Sequence, residues 1–156
     1  MRRAKRSDKY KSNFEAEVAA YYKNQLVYET KKIKFQQPAV DRTYNPDFTS
    51  PKIENLYIET KGKLSIDDRK KHLLLKEQHP DKEIVLLFQN ANNKITRRSN
   101  TSYGDWCDTN GIIWFCWKTK PPPKTIKELH KICLSKRLLN YQKAASTLKE
   151  SFQKKK

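Results

Sequence analysis

Residues 56–88 read LYIETKGKLSIDDRKKHLLLKEQHPDKEIVLLF, and this stretch decides the fold. Its beginning, Leu56–Lys61, alternates between apolar and polar side chains, which is typical of a strand that buries one face. Ser65 is suited to cap a helix that Pro80 would stop. The run Ile84–Phe88 is apolar throughout, as in strands that are covered on both faces. A strand, a helix and a buried strand in this order form a crossover unit, so the sequence predicts an α/β fold in which these two strands are parallel.

Upstream of this unit, the sequence predicts one helix and several extended segments. Apolar side chains recur at helical spacing from Asn13 onward, and Ser12 followed by Glu15 matches the capping box that starts a helix. Residues 33–35 are a short strand candidate. Three prolines between residues 38 and 51 then leave room only for extended pieces and turns.

Downstream, the sequence predicts a loop, a short helix and a further strand. Residues 90–100 are polar and basic, Ser102 is placed to open a helix, and Gly111 marks its end. Residues 112–117 are a second apolar strand candidate.

A triple proline at residues 121–123 is a stiff hinge, and we predict a boundary there. The folded core, residues 13–120, is N-terminal to this hinge, and a basic arm, residues 1–12, precedes the core. This arm has six basic side chains, one acid and too few apolar groups to bury itself, so we expect it to be flexible until it meets phosphates. Beyond the hinge, residues 124–156 form a basic helical extension.

The helical extension carries one narrow apolar stripe, because its apolar side chains fall at alternating intervals of four and three. We favour packing of this stripe on the protein's own surface. Contact with a second subunit or another protein is the alternative. The stripe consists of Leu134, Leu138, Tyr141, Ala145, Leu148 and Phe152.

The composition indicates a polyanionic partner. The 156 residues include 34 Lys and Arg against 17 Asp and Glu, which gives a formal net charge of +17. This excess is larger than solubility requires, so nucleic acid is the expected partner. No apolar run approaches the ~20 residues of a spanning helix, and the basic stretches are not joined to a strongly apolar face, so we expect no membrane partner.

The three cysteines, Cys107, Cys116 and Cys133, show no close pairing of the kind found in disulfide frameworks or zinc knuckles. This argues for a reducing compartment and for no zinc site. The Arg-rich start fits a basic arm better than an organelle transit peptide, and no secretion signal is evident.

Four residues between Pro46 and Gly62 carry the chemistry that a nuclease needs. Asp47 follows Pro46, and after eleven intervening residues a return strand can bring Glu59 beside it. Lys61 lies on the same face of that strand as Glu59 because strand side chains alternate. Two carboxylates and the Thr60 carbonyl suit Mg²⁺, with Mn²⁺ as a substitute, and the ammonium could orient water or stabilise the transition state. Solvated cross-strand ion pairs are the alternative interpretation, and the pattern alone favours it.

Four segments resemble the phage endonuclease I family of four-way-junction resolvases, over roughly residues 12–118. The resemblance implies a PD-(D/E)XK restriction-endonuclease-like core, with a mixed central sheet flanked by helices. It also implies magnesium dependence and action on Holliday junctions and other branched DNA, with Asp47, Glu59 and Lys61 on the three motif positions. The segments are Tyr44–Phe48 (YNPDF), Tyr57–Gly62 (YIETKG), Asp67–Pro80 (DDRKKHLLLKEQHP) and Thr101–Gly104 (TSYG).

Glu15 is a fourth catalytic candidate through the same resemblance. The family uses a glutamate on its first helix, and residues 12–15 (SNFE) resemble that segment. The capping box alone would explain Glu15, and the bare sequence favours that interpretation, whereas the resemblance favours catalysis. In the family, two subunits exchange strands through an extended bridge, and each active site takes this glutamate from the other subunit. The corresponding stretch, residues 36–43, is short for such a bridge, so a strand-swapped homodimer is in doubt.

Basic side chains on the arm, on the helix after Lys61 and in the loop at residues 90–100 are candidates for DNA contacts. For the helix, an ordinary solvated face is an equally good interpretation. His72 and His79 are expected to be helix-surface or capping residues. The DNA-contact candidates are Arg2, Arg3, Lys5, Arg6, Arg69, Lys70, Lys71, Lys94, Arg97 and Arg98.

Three functions therefore stay open at this point. The leading one is a magnesium-dependent endonuclease that resolves or debranches branched DNA, acting in the cytoplasm of a host cell if the chain is a phage protein. The second is a monomeric nicking, repair or homing-type endonuclease with the same active site, acting on branched or duplex DNA. The third is a basic protein that binds nucleic acid and cuts nothing.

Overall fold

The computed structural model describes residues 9–37 and 40–153, and a mixed five-stranded sheet flanked by helices forms its centre. The α/β prediction is therefore confirmed. In chain order the elements are α1 (Asn13–Tyr22), a 3-10 turn (Lys23–Gln25), β1 (Val27–Tyr28), β2 (Ile33–Gln37), β3 (Val40–Tyr44), β4 (Phe48–Thr49), β5 (Leu56–Lys61), α2 (Ile66–Gln78), β6 (Glu83–Phe88), α3 (Tyr103–Thr109), β7 (Ile113–Cys116) and α4 (Ile126–Gln153).

The strand order in the central sheet is β1-β4-β5-β6-β7. β5 and β6 are parallel, as the crossover unit predicted, and β7 is parallel to β6, whereas β1 and β4 add an antiparallel edge. β2 and β3 form a separate antiparallel pair within the chain, with Ile33 opposite Tyr44. This β2–β3 hairpin packs against α2.

Side chains from β6 point alternately into two apolar clusters, which explains its unbroken apolar run. Val85 and Leu87 join α1 and the start of α4 on one face of the sheet, while Leu86 and Phe88 join α3 on the other. On β5 the same alternation buries Ile58 on the α1 side and directs Glu59 to the α2 side.

Capping boxes start three of the helices. Ser12 with Glu15 begins α1 and Ser65 with Asp68 begins α2, as predicted, and Ser102 with Asp105 begins α3. In each box the serine hydroxyl accepts from the backbone N–H three residues on, and the acidic side chain accepts from the serine N–H. Glu15 and Asp68 are thereby fixed at the N-terminal ends of α1 and α2.

The first turns of α4 belong to the main core, because Ile126, Leu129 and Cys133 pack in the cluster that contains α1. Tyr21 donates a hydrogen bond to the Pro122 carbonyl at 2.9 Å. These contacts cross the position where the sequence predicts a domain boundary, and that boundary stays a prediction. Farther along α4, Leu134 and Leu138 of the apolar stripe are exposed, at 42% and 59%.

Within the described ranges, α4 included, we find no helix long and apolar enough to cross a membrane.

Candidate active site

Asp47 and Glu59 meet where β4 begins, beside the second half of β5. Phe48 pairs with Ile58, so continuing this antiparallel register by one residue places Asp47 opposite Glu59. Asp47 Oδ2 accepts hydrogen bonds from both the backbone N–H and the hydroxyl of Thr60, each at 2.8 Å. The return strand thus brings the two carboxylates together as the sequence analysis expected.

The pKa of Asp47 is raised to about 6, mainly by burial and next by the negative charge of Glu59, against the opposing effect of the Thr60 hydrogen bonds. The charge of Glu15 acts in the same direction. A carboxyl group held beside other carboxylates in a partly buried place is one that a cation would stabilise in its ionised form.

Glu59 is 5% exposed and is held ionised by its neighbours. Burial alone would raise its pKa, but the Lys61 ammonium, 2.8 Å from Oε1, contributes most to lowering it below the ordinary value. Tyr44 donates a hydrogen bond to the other oxygen, Oε2, at 2.7 Å. These two contacts, one to each carboxylate oxygen, hold the Glu59 side chain in one orientation.

Lys61 bridges two carboxylates, because its ammonium lies 2.8 Å from Glu59 and 3.0 Å from Asp68. Burial would lower the pKa of Lys61, yet these two charges raise it above the ordinary value. Lys71 lies near the same pair, at 3.7 Å from Glu59 and 3.5 Å from Asp68. The cluster thus combines two ammonium groups with three carboxylates, counting Asp47.

His72 lies on α2 beside this cluster and is 3% exposed. The prediction that it lies on the helix surface is therefore wrong. The reason is the register of α2, which turns His72 and Leu75 toward the sheet. Burial lowers the pKa of His72 to about 3, so the ring is neutral at physiological pH. Its ring stands edge-on to Tyr44, with 5.8 Å between ring centroids. His79 caps the end of α2, as expected.

Glu15 lies in the first turn of α1 and completes the capping box that Ser12 begins. Its Oε2 accepts hydrogen bonds from the backbone N–H of Lys11 and Ser12, at 2.7 and 3.0 Å, and from the Tyr28 hydroxyl at 2.8 Å. The capping interpretation of Glu15 is therefore confirmed. Its electrostatic effect on Asp47 places it near the cluster as well, so its catalytic role stays a prediction.

The donor set of the cluster suits Mg²⁺ better than a metal that needs a complete protein cage. Among residues 9–37 and 40–153, no group of three or more His, Cys, Asp or Glu side chains is arranged to hold an ion. Mg²⁺ is usually bound through one or two carboxylates, with waters and substrate phosphates completing its shell. Asp47 and Glu59 would supply these carboxylates, and their role as ligands, like that of the Thr60 carbonyl, stays a prediction.

A groove of about 440 Å³ lies beside the cluster, between the β2–β3 hairpin and α2. Three cations line it: Lys70 and Lys71, which the sequence singled out, and Arg42, which it did not. Arg42 was missed because only the hairpin brings it to α2, and its sequence neighbourhood lacks a basic cluster. Asp67 and Asp68 line the groove as well, and the contacts of Asp68 with Lys61 and of Lys71 with Glu59 connect it to the cluster.

The other predicted DNA contacts are distributed over the surface. Arg69 donates to the carbonyl oxygens of Leu64 and Ile95, at 3.1 and 3.3 Å, and so ties the following loop to α2. Arg97 and Arg98 are exposed in that loop, and the exposed Lys94 donates to the Asn100 carbonyl. Their role in DNA binding stays a prediction. Residues predicted in the arm lie outside the described residues: Arg2, Arg3, Lys5 and Arg6.

With this geometry in view, comparison with known sequences decides the family. Residues 1–145 match the sequence profile of the family described as Phage endonuclease I. The chain belongs to this family. It is 46% identical over 87 residues to "Endodeoxyribonuclease 1" of Enterobacteria phage T3, a match that covers 56% of each chain. It is also 45% identical over 85 residues to "Endonuclease I" of Escherichia phage T7, covering 54% of this chain and 56% of the relative.

The matched part spans little more than half the length of these curated relatives. Membership in the Phage endonuclease I family confirms the resemblance that the motifs around Asp47 and Glu59 indicated. It does not by itself assign a role to any residue.

The hydrogen bond from Tyr44 to Glu59 can be tested by substitution. Removing its hydroxyl in Tyr44→Phe leaves Glu59 Oε2 without its donor, and hydrogen bonds to buried charges contribute about 1.5–3 kcal/mol. We expect the free energy of unfolding, measured in urea, to fall by about that amount. Tyr57→Phe makes the same change in a buried tyrosine on β5 and serves as the control. Equal losses in both variants would contradict the role given to the Tyr44 hydroxyl.

Proposed function

We propose that this protein is a magnesium-dependent DNA endonuclease that resolves or debranches four-way junctions and other branched DNA. The observation that carries the proposal is the meeting of Asp47, Glu59 and Lys61 where β4 begins, beside the second half of β5, in a chain of the Phage endonuclease I family. The net charge of +17 supports a DNA partner. As a phage-type nuclease, the protein would act inside the host cell.

Each residue of the cluster has a distinct task in this proposal. Asp47 and Glu59, with the Thr60 carbonyl, would hold Mg²⁺, which supplies charge neutralisation at the phosphate and activation of water. Tyr44 orients Glu59 by its hydrogen bond. Lys61 stays protonated between Glu59 and Asp68 and can donate to a phosphoryl oxygen as negative charge develops there.

The groove between the β2–β3 hairpin and α2 would guide a DNA strand to the cluster. Arg42, Lys70 and Lys71 can bind phosphates along it, and phosphate contacts position DNA without reading its sequence. Recognition of shape and backbone is what an enzyme for branched DNA requires.

The proposal is tested by incubating the protein with a four-way junction and with a linear duplex of matched sequence, in magnesium or in excess chelator. We expect the junction to be cut at least tenfold faster than the duplex, and chelator to abolish cutting. Undiminished cutting in chelator would contradict the metal requirement. Salt-sensitive binding without any cutting, in magnesium or manganese, would instead indicate a non-catalytic nucleic-acid-binding protein.

A second candidate, a monomeric endonuclease with the same site, is favoured by the β2–β3 hairpin. The strands that a swapped dimer would exchange pair with each other in one chain, from Ile33 with Tyr44 to Gln37 with Val40. In the same chain, Glu15 acts electrostatically on Asp47. One chain can therefore assemble the four proposed catalytic residues without a partner.

Mixing two inactive variants distinguishes the monomer from the swapped dimer. If Glu15 is catalytic and comes from the partner, co-refolded Glu15→Gln and Glu59→Gln chains form one site with both residues intact, and part of the activity returns. For a monomer we expect no recovery, together with the mass of a single chain in solution. Recovery of cutting in the mixture would contradict the monomeric candidate.

A further inference from the structure

The two-residue strand β1 connects the first helix with the candidate active site. Tyr28 is paired with Phe48 across β1 and β4, and the two rings pack with 5.3 Å between their centroids. Because Asp47 directly precedes Phe48, this pairing holds Tyr28 beside the start of β4. The backbone N–H of the next residue, Glu29, donates to the Asp47 carbonyl at 2.8 Å. Tyr28 and Glu29 are thus attached to the segment that carries Asp47.

Glu29 has a left-handed backbone conformation, with φ of 48°. Residues with a Cβ atom rarely adopt this conformation, and they keep it only where the surrounding contacts hold them in place. Here the backbone N–H of Glu29 is held by Asp47, and its side chain forms an ion pair with Lys11. The position of β1 relative to Asp47 is therefore maintained against local backbone strain.

The Tyr28 hydroxyl extends from β1 to α1, where it donates a hydrogen bond to Glu15 Oε2 at 2.8 Å. Burial, and next this hydrogen bond, raise the pKa of Tyr28 above its ordinary value, so the hydroxyl stays protonated and stays a donor. One short strand thus contacts both Glu15 and the segment that carries Asp47 within a single chain.

Capping of α1 does not account for this hydrogen bond. In the capping box Glu15 accepts from the backbone N–H of Ser12, at 3.0 Å, and that bond completes the box. The boxes of α2 and α3 are completed by Asp68 and Asp105, whose side chains are one methylene group shorter. The additional length of Glu15 therefore serves the contact with Tyr28 and not the cap.

The arrangement at Glu15 resembles the one at Glu59. In both cases a tyrosine hydroxyl donates to Oε2, from Tyr28 at 2.8 Å and from Tyr44 at 2.7 Å. Among residues 9–37 and 40–153, the hydrogen bonds that Glu15 accepts all go to Oε2, so Oε1 keeps its acceptor capacity for water or an ion. A carboxylate held by one oxygen in this way is suited to act through the other.

We propose that Tyr28 is a positioning residue that holds Glu15 of the same chain in place for DNA cutting. The inference rests on the proposed function, in which Glu15 and Asp47 serve one reaction. Tyr28 does not touch the phosphate; it fixes the distance from Glu15 to Asp47 through β1. Groups that support a catalytic side chain in this way affect the rate strongly, because a displacement of about 1 Å can cost about 100-fold.

Tyr28→Phe tests the proposal, because it removes the hydroxyl and keeps the ring that packs on Phe48. We expect the single-turnover rate of junction cutting in magnesium, at saturating enzyme, to fall by about tenfold. The dissociation constant for the junction should stay unchanged, since no phosphate contact is removed. Equal cutting rates in Tyr28→Phe and wild type would overturn the proposal.

Tyr21→Phe is the matched control for the loss of a hydroxyl donor. The Tyr21 hydroxyl also donates one hydrogen bond, to the Pro122 carbonyl at 2.9 Å, outside the cluster. We expect its cutting rate to equal that of wild type. An equal loss of rate in Tyr21→Phe and Tyr28→Phe would show a general effect on the fold and count against positioning.

Glu15→Asp separates positioning from capping. Aspartate completes the boxes of α2 and α3, so the free energy of unfolding should stay close to that of wild type. The shorter side chain no longer reaches Tyr28, and we expect cutting at least tenfold slower than in wild type. Adding Tyr28→Phe to Glu15→Asp should then slow cutting no further, because the two changes remove the same contact. The same fold-loss from Tyr28→Phe in both backgrounds would refute the proposal.

The wild-type reaction distinguishes this inference from the proposed function. If wild type cuts the junction and Tyr28→Phe cuts it equally fast, the role of Tyr28 alone is overturned. If wild type cuts no branched DNA in magnesium, the proposed function is overturned, and the role of Tyr28 with it.

Discussion

Glu59→Gln is expected to reduce the rate of junction cutting by about 10³-fold or more, because preorganised charge at a reacting phosphate is worth that much in other enzymes. The amide has nearly the same shape, yet it removes the negative charge that would hold Mg²⁺ beside Asp47. It can still accept the hydrogen bond from Tyr44. Binding of the junction should stay within a few-fold, since the phosphate-contacting cations are unchanged.

The variant should also fold. Lys61 loses one partner in Glu59→Gln but keeps Asp68 at 3.0 Å, so its ammonium is not left alone in a partly buried place. Glu54→Gln, an exposed glutamate in the turn before β5, is the matched control for the loss of one negative charge. Cutting rates are compared at saturating enzyme in a single turnover. Normal cutting by Glu59→Gln would show that the active site lies elsewhere.

The strand-helix-strand core could be predicted from the sequence because its signals are local. Apolar alternation in β5, an unbroken apolar run in β6 and a serine cap on α2 each depend on a few neighbouring residues. The pairing of Glu59 with Lys61 follows from the same alternation, since residues two apart on a strand share a face.

Other parts of the site depend on contacts between segments distant in sequence and could not be predicted in this way. Arg42 reaches the groove because the β2–β3 hairpin folds onto α2, and Tyr44 reaches Glu59 by the same packing. His72 resembled a surface residue because the helix around it is rich in charge, and only the sheet beneath α2 buries it. Periodicity within one helix does not report which polar residue the neighbouring sheet covers.

The crowding of carboxylates at the cluster has a consequence for stability. Burial and the charge of Glu59 raise the pKa of Asp47 to about 6, so the ionised Asp47 opposes folding at neutral pH when no cation is present. Residues chosen for a metal-dependent reaction are expected to carry such a cost, because a preorganised site holds like charges together before its cation arrives.

Asp47→Asn is accordingly expected to stabilise the metal-free protein at pH 8 by about 1–3 kcal/mol while abolishing cutting. A carboxyl group whose pKa is raised on folding binds more protons in the folded state between its two pKa values. The contribution of Asp47 to stability is therefore present below its unfolded pKa and is lost as the pH rises through about 6. The asparagine can keep its oxygen toward the two donors of Thr60, so the local hydrogen bonds survive.

Urea unfolding of wild type and Asp47→Asn at several values between pH 4 and pH 8, without metal, measures this difference. His72 acts in the opposite direction over part of the range, because its lowered pKa makes the folded state weaker as the pH falls below the unfolded value of about 6.5. The two chains share His72, so subtracting their free energies of unfolding isolates Asp47. The difference should grow from pH 4 to pH 8, and added magnesium should stabilise wild type more than the variant. If Asp47→Asn is less stable than wild type at pH 8, the Asp47 and Glu59 carboxylates do not repel each other appreciably. A cation bound between them would then have little repulsion to neutralise.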